Sequence, residues 1–210
     1  MPASSAPHAA IIGAGIGGLA AAIALRRIGV TVSIHEQARA FPRAGAGVQM
    51  LPNACHALRG LGLLDRLEAI GFQPFSRLNR VWDSGEVVRE LPMPPTLYGA
   101  PFLCLHRATL HQALADAIPP ADIHLNRRLT AIESAAGRYQ RVFADGTRAE
   151  ADAVIGADGV HSVTRALLFG PDAPLHKERI AYRAVFPAAR IAGPGFRPRA
   201  PNGGAPIVIS

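Results

Sequence analysis

Three glycines near the start of the chain, spaced as Gly13-x-Gly15-x-x-Gly18, are the feature that most restricts its fold. The preceding residues "AAII" predict a short buried strand, and apolar residues recur at helical spacing from Leu19 until Gly29, a typical helix C-cap position. The stretch "VTVSI" then predicts a second strand. The glycines therefore lie in the turn of a β-α-β unit, which predicts an α/β fold with a parallel sheet.

Each glycine meets a different requirement of a nucleotide-binding turn. Gly13 permits the tight turn, Gly15 lets the backbone approach a pyrophosphate, and Gly18 lets the helix pack close to the strand. The N-terminus of the helix offers free N–H groups and a partial positive charge to phosphates. Glu36, in the "IHEQ" that ends the second strand, lies roughly 20 residues further on, where an acid binds ribose hydroxyls. The unit predicts a site for an adenine dinucleotide, FAD or NAD.

Two membrane interpretations of the same apolar run are weaker. A transmembrane helix needs about 20 mainly apolar residues, and this run is shorter and interrupted by glycines. A secretory signal needs positive charge before its apolar part, and the residues "MPASSAPH" contain no Lys or Arg. We therefore expect no membrane partner.

Composition limits the class of protein further. The 210-residue chain is 49% hydrophobic and carries a net charge of +7, from 22 Lys and Arg against 15 Asp and Glu. The basic residues are scattered rather than clustered, so a nucleic-acid partner is not expected, although the charge favours anionic ligands. Cys55 and Cys104 form no CxxC pattern. We therefore expect no metal site and a cytoplasmic location.

Three further stretches carry candidate functional residues. A glycine-rich loop at Gly45–Gly47 precedes a helix that other glycines divide in two. The stretch "FLCLHRATLHQALADAIP" predicts a strand running into a helix, with Arg107 near the start of that helix. The stretch "ADAVIGADGVHSVTRALLFG" predicts a buried strand, an acidic turn at Asp158-Gly159 and another helix, and it places Asp158 at the carboxyl end of a strand, where ligands bind in open α/β sheets. We expect His161, in the same stretch, to have a structural role.

Short strands fill the regions between these stretches. The sequence predicts three or four of them from "DIHLN" to "EADAV", with a hairpin turn at "ADGT". A second hairpin is predicted in "LNRVWDSGEVVREL". The chain therefore combines a β-α-β region with β-rich segments.

Four stretches together carry a family resemblance: "GAGIGG" with "HEQ", "RAGAGVQMLPN", "HRATLHQAL" and "VIGADGVHSVTR". In residues, order and spacing they resemble the class A FAD-dependent aromatic monooxygenases, especially the branch with salicylate hydroxylase and 6-hydroxynicotinate 3-monooxygenase. The resemblance runs from about residue 9 to residue 190 and includes that family's DG motif. It implies FAD as cofactor, NADH or NADPH as co-substrate, and O2-dependent hydroxylation of a small aromatic substrate.

The resemblance also assigns contacts to individual residues of this chain. They are Gly13, Ala14, Gly15 and Gly18 at the pyrophosphate; Glu36 and Gln37 at the adenosine ribose; Arg43 and Gln49 near the flavin; Arg107 at the ribityl chain or pyrophosphate; Leu129 at adenine; Asp158 and Gly159 closing over FAD; and Tyr182 toward the substrate. The sequence offers no convincing base for the reaction, so catalytic residues stay unassigned.

The same resemblance divides the chain into functional domains. It implies a Rossmann-like FAD-binding domain with a parallel sheet, formed by residues 1–75 and 106–172. A β-hairpin insertion over 76–105 and the segment 173–210 would belong to an incomplete substrate domain.

Members of the family run well beyond this length and return to the FAD domain with a Gly-Asp motif that this sequence lacks. We therefore expect a truncated form or fragment, or one piece of a split enzyme. The partner that we expect is a missing C-terminal half or, in a homodimer, a second copy of the chain. A non-catalytic FAD- or ADP-binding remnant is an open alternative. An NAD-dependent dehydrogenase is another, although such enzymes need neither the DG motif nor the second glycine-rich loop.

Overall fold

The structure of the chain is a computed structural model that describes residues 6–41, 47–81, 83–135, 137–175 and 178. In chain order its elements are β1 (His8–Ile12), α1 (Ile16–Arg27), β2 (Thr31–His35), β3 (Gly47–Met50), α2 (Pro52–Gly60), α3 (Leu64–Glu68), β4 (Ser76–Arg80), β5 (Val87–Pro92), α4 (Pro95–Tyr98), β6 (Leu103–His106), α5 (Arg107–Asp116), a 3-10 turn (Pro120–Asp122), β7 (Ile123–His124), β8 (Leu129–Ala135), β9 (Arg138–Phe143), β10 (Arg148–Ala151), β11 (Ala153–Gly156) and α6 (Val163–Phe169). Within these residues, no helix is both long and apolar enough to span a bilayer.

The chain divides into two compact units, each discontinuous in sequence. The first comprises Met1–Arg43 and His111–Ile180, and the second comprises Ala44–Leu110 and Ala181–Ser210, as far as the structure describes them. The division of the chain into FAD and substrate domains is a statement about function, and it stays a prediction.

A four-stranded parallel sheet in the order β11-β1-β2-β7 forms the centre of the first unit. Helix α1 connects β1 to β2 and buries Leu19, Ala22 and Ile23, whose helical spacing places them on one face. The helix ends at Arg27. Gly29 follows with a φ of +84°, a left-handed conformation that glycine adopts without the strain that a side chain would cause. The α/β fold with a parallel sheet, and the β-α-β unit in particular, are confirmed.

A second, antiparallel sheet of the first unit has the order β10-β9-β8. Its β9–β10 hairpin turns at Gly146, with a φ of +80°, in the "ADGT" stretch where the sequence predicts it. Leu129 of β8 and Phe143 of β9 pack with Ile12 of β1 in one buried cluster. The end of the central strand β1 is therefore packed against the antiparallel sheet, in addition to the residues that α1 buries.

The second unit contains two antiparallel strand pairs, β3 with β6 and β4 with β5. The β4–β5 hairpin matches the predicted one, and α2 and α3 are the two helical pieces expected on either side of the glycine break. Its core includes Cys55, Leu58 and Leu67 from these helices, together with Cys104 of β6 and Phe102 just before that strand. The second unit is therefore built around pairs of short strands and carries no parallel sheet among its described residues.

Candidate functional site

A cleft in the first unit opens where three parallel strands end. Strands β2 and β11 lie on opposite sides of β1, so β1 is a point where the strand order reverses. In open α/β sheets, ligands bind at such a topological switch point. The cleft has a volume of about 220 Å³. Its walls are formed by Ile12, Gly13, Gly15, His35, Glu36, Gln37, Arg127, Arg128, Leu129, Ala157, Asp158, Gly159, His161 and Val163.

The glycine turn forms one end of this cleft, and its close contacts explain two of its glycines. Gly13 has a φ of +102°, and a Cβ atom there would lie 2.4 Å from the carbonyl oxygen of Ala157. A Cβ atom on Gly18 would lie 2.0 Å from the carbonyl oxygen of Gly13, so the start of α1 packs directly on the turn. Gly15, in contrast, has no atom within 4 Å of its Cβ position. The backbone at Gly15 is therefore open to a ligand.

The carboxylate of Glu36 connects the end of β2 to the glycine turn. Its Oε2 accepts a hydrogen bond from the backbone N–H of Ala14 at 2.9 Å, and its Oε1 accepts one from Ala38 at 2.8 Å. A carboxylate oxygen can accept two hydrogen bonds, so both oxygens keep capacity for ribose hydroxyls. Glu36 thus orders the turn and remains available to a ligand.

Asp158, in the turn after β11, binds the first turn of α6. One carboxylate oxygen accepts from the Ser162 hydroxyl, and the other accepts from the backbone N–H and the hydroxyl of Thr164. Partial burial acts to raise the pKa of Asp158, but these hydrogen bonds outweigh it and hold the pKa below its ordinary value. The acidic residue of the DG motif is therefore an ionised helix cap in this structure.

The side chain of His111 contacts the backbone of the glycine turn, which the sequence did not predict. This buried histidine donates from Nε2 to the carbonyl oxygen of Ala14 at 2.7 Å, and the ring of Phe41 lies edge-on to it at 4.6 Å. His111 lies 97 residues beyond Ala14 along the chain. No sequence pattern signals such a distant pair.

A buried polar layer lies between the two sheets of the first unit. Arg141 of β9 is only 1% exposed and donates to the carbonyl oxygens of Ala149 and Glu150, to the hydroxyl of Ser33 and to Nε2 of His35. Burial lowers the pKa of Arg141 to about 10, which leaves it charged at neutral pH. The layer therefore places a fixed positive charge behind the cleft.

The structure brings most of the predicted cofactor contacts of the first unit together. Those that line the cleft are Gly13, Gly15, Glu36, Gln37, Leu129, Asp158 and Gly159. Ala14, in the glycine turn, and Gly18, in the first turn of α1, do not line it. Cleft residues that the sequence did not single out are His35, Arg127 and Arg128. The backbone N–H of Arg127 donates to the carbonyl oxygen of Glu36 at 2.8 Å, which a sequence pattern cannot reveal.

The remaining predicted contacts lie elsewhere. Gln49 is exposed on β3, and Arg107 is exposed as the first residue of α5, both in the second unit. Arg43 and Tyr182 lie outside the described residues. The roles expected for these four residues stay predictions.

The residues of the cleft fit the adenosine diphosphate half of a dinucleotide. They combine open backbone at Gly15, a carboxylate at the end of β2, and a buried imidazole nitrogen of His35, Nδ1, that has no hydrogen-bond partner among the described residues. The described residues include no group of three or more His, Cys, Asp or Glu side chains placed to share a metal ion.

Comparison with known proteins also indicates an FAD site. A sequence model of a family described as "FAD binding domain" matches residues 7–178. Over 191 residues the chain is 39% identical to 6-hydroxynicotinate 3-monooxygenase of Pseudomonas fluorescens, covering 90% of this chain and 50% of that protein. It is also 39% identical to 3-amino-4-hydroxybenzoate 2-monooxygenase of Streptomyces cremeus, covering 90% and 48%. The chain spans about half the length of the curated relatives it matches.

Solved structures are similar over the same region. HpxO of Klebsiella pneumoniae, complexed with FAD and uric acid, superimposes with a TM-score of 0.69 and 31% identity over 76% of this chain and 41% of that chain. The 2,6-dihydroxypyridine-3-hydroxylase of Arthrobacter nicotinovorans superimposes with a TM-score of 0.67 and 30% identity over 80% and 41%.

Proposed function

Because the chain belongs to the FAD binding domain family, we propose that it forms the FAD-binding part of a monooxygenase that hydroxylates a small aromatic compound with NADH or NADPH and O2. The observation that carries this proposal is the cleft at the ends of β1, β2 and β11, which combines the open backbone of Gly15 with the Glu36 carboxylate. The names of the monooxygenase relatives support the reaction class.

The residues of the cleft would bind and orient the adenosine diphosphate half of the cofactor. The open backbone at Gly15 and the N-terminus of α1 suit the pyrophosphate, and Glu36 suits the ribose hydroxyls. Asp158 holds the first turn of α6 in place beside the cleft through Ser162 and Thr164. When bound, FAD supplies the electron-transfer and oxygen chemistry, which no amino-acid side chain provides.

The substrate that we propose is a hydroxylated aromatic acid or a hydroxypyridine. Two relatives are named for 6-hydroxynicotinate and 3-amino-4-hydroxybenzoate, and one solved structure is named for 2,6-dihydroxypyridine. We further propose a cytoplasmic location, which the two unpaired, buried cysteines support.

Titration with FAD tests the first part of the proposal. Purified protein, stripped of any bound flavin, should quench flavin fluorescence on binding FAD in a one-to-one ratio. A Glu36→Ala variant should bind more weakly, whereas an exposed substitution in the second unit, Glu90→Ala, should bind as the unmodified chain does. Failure of the unmodified chain to bind FAD or ADP would refute the proposal.

Substrate-dependent oxidation of NADH or NADPH tests the second part. We expect 6-hydroxynicotinate or 3-amino-4-hydroxybenzoate to stimulate oxidation of the nicotinamide and consumption of O2 by the FAD-loaded protein. A second candidate function is binding of FAD or ADP without hydroxylation, which the fit of the cleft to the adenosine diphosphate half of the cofactor supports. Flavin binding with no oxidation in the presence of any tested substrate would select this second candidate. We also propose that the chain associates with a separate C-terminal half or with a second copy of itself. The mass of the purified chain in solution measures whether it forms a dimer.

A further inference from the structure

His35, the last residue of β2, lies in the wall of the cleft but is only 5% exposed. Its ring stacks on His124 of β7, with centroids 5.0 Å apart, and lies 4.7 Å from the ring of Phe143. Two aromatic neighbours therefore hold the imidazole in one orientation. A polar ring buried this way needs a hydrogen-bond partner for each of its nitrogens.

The Nε2 side of this ring is satisfied by the buried polar layer. Arg141 approaches Nε2 with its Nη1 at 2.9 Å, and the hydroxyl of Ser33 lies 3.2 Å from the same nitrogen. A guanidinium group can only donate hydrogen bonds, so Nε2 must be the acceptor. In a neutral imidazole the proton is then on Nδ1.

The ring is neutral under ordinary conditions. Burial, followed by the charge of Arg141, lowers the pKa of His35 to about 3. The other charged or titratable groups that act on it, His124, Arg127 and His8, lower it further. His35 therefore presents an Nδ1–H group and no positive charge.

That Nδ1–H group is the one buried side-chain atom without a hydrogen-bond partner among the described residues. An unpaired buried donor is costly, and such groups are rare in folded proteins. His35 lines the cleft beside Glu36 and Gln37, so a ligand bound there brings acceptor atoms close to this enclosed group.

We propose that His35 donates a hydrogen bond from Nδ1 to an acceptor atom of the adenosine half of the bound cofactor, and that Arg141 is a positioning residue that selects the required tautomer. The inference rests on the proposed function, since it needs an adenosine ligand in this cleft. It adds a neutral donor to the site, in contrast to the carboxylate of Glu36, which can only accept.

Affinity for ADP and FAD, measured by calorimetry and flavin fluorescence, tests the proposal. His35→Phe keeps a stacked ring but removes the donor, and we expect about tenfold weaker binding of both ligands. His35→Asn can place an amide N–H near the position of Nδ1 and should restore part of the affinity. His56→Phe, the same change at an exposed histidine of the second unit that does not line the cleft, is the matched control and should bind normally.

The tautomer of His35 is measured directly on the unmodified protein by ¹⁵N NMR of its imidazole, so the test does not depend on the folding of a variant. We expect a protonated Nδ1 and an unprotonated Nε2, and a change in this pattern in Arg141→Gln, whose amide oxygen can accept a hydrogen bond from Nε2. A protonated Nε2, or unchanged ADP affinity in a folded His35→Phe, would overturn the inference and leave the proposed function intact. No binding of FAD or ADP by the unmodified protein would overturn both.

Discussion

Gly13 and Gly15 are two residues apart, yet their backbones are restricted in different ways. Gly13 needs a positive φ and has no room for a Cβ atom beside Ala157. Gly15 has an ordinary φ of −70° and open space around its Cβ position. A single added methyl group therefore has different consequences at the two positions, which separates the folding role of the turn from its binding role.

We expect Gly13→Ala to lower the free energy of unfolding by about 2 kcal/mol or more, because it combines backbone strain with a clash against main-chain atoms. Gly15→Ala should leave stability within about 0.5 kcal/mol of the original but weaken FAD binding, because its methyl group occupies the space of the pyrophosphate. Urea denaturation and FAD titration of both variants check this pair. Equal stability of the two variants would contradict the assignment of Gly13 to folding.

His35 should make stability depend on pH. Its pKa is about 3 in the folded chain and near its ordinary value of 6.5 in the unfolded chain, so below pH 6.5 the unfolded state binds more protons. The free energy of unfolding should therefore fall on going from pH 7 to pH 5, with a contribution of about 2 kcal/mol from this residue. In His35→Phe that contribution should disappear.

Urea denaturation at both pH values measures the difference in slope between the unmodified chain and His35→Phe. His56→Phe serves as the control, because this exposed histidine of the second unit does not act on His35 and should leave the pH dependence nearly unchanged. A pH dependence that is identical in the unmodified chain and His35→Phe would show that His35 titrates normally.

At the scale of elements, helix α6 depends on hydrogen bonds from outside its own backbone. It is short, Val163–Phe169, and its first turn is held by the side chains of Ser162 and Asp158. Such a helix is marginal by itself, so the capping contacts decide whether it forms. The same contacts shape the turn that borders the cleft.

We expect Asp158→Ala to lower the free energy of unfolding by about 1–2 kcal/mol through loss of this cap. Because the hydrogen bonds depress the pKa of Asp158, the stabilisation should be complete above the ordinary pKa of an aspartate and lost as the pH falls through the lower folded value. Asp172→Asn, which removes only an exposed ion pair with Arg165 of the same helix, should change stability by less than about 0.5 kcal/mol. Denaturation curves that rank the two variants in the opposite order would refute the capping role.

Most elements were predictable from the sequence because their signals are local. Glycine and Asp-Gly turns mark the hairpins, and Gly29 marks the end of α1. The pairing of β7 beside β2, in contrast, joins Ile34 to Ile123 across a long stretch of chain that no local pattern specifies. Non-local pairing depends on which surfaces the folded elements bury together.

For the whole molecule, the net charge of +7 bears on ligand binding. Arg127 and Arg128 line the cleft beside the carboxylates of Glu36 and Asp158, and these two arginines are the charges that attract a phosphate. Raising NaCl from about 0.05 M to about 0.5 M shortens the screening length severalfold. We expect ADP to bind several times more weakly at the higher salt concentration.

Adenosine is the control for this prediction, because it fills the same part of the cleft without a phosphate charge. Its affinity should change little between the two salt concentrations. Equal salt dependence for ADP and adenosine would show that the positive charge does not act on the pyrophosphate.

The sequence by itself determined the β-α-β unit, the glycine turn, the acid at the end of β2 and the DG motif, because each depends on residues that are neighbours along the chain. Only the tertiary structure showed that His111 supports the turn and that Arg141 stands behind His35. The physical reason is distance along the chain: Arg141 and His35 are 106 residues apart and meet only because one sheet packs against the other. A hydrogen bond of that kind exists only once the layers are assembled, and it leaves no spacing in the sequence to read.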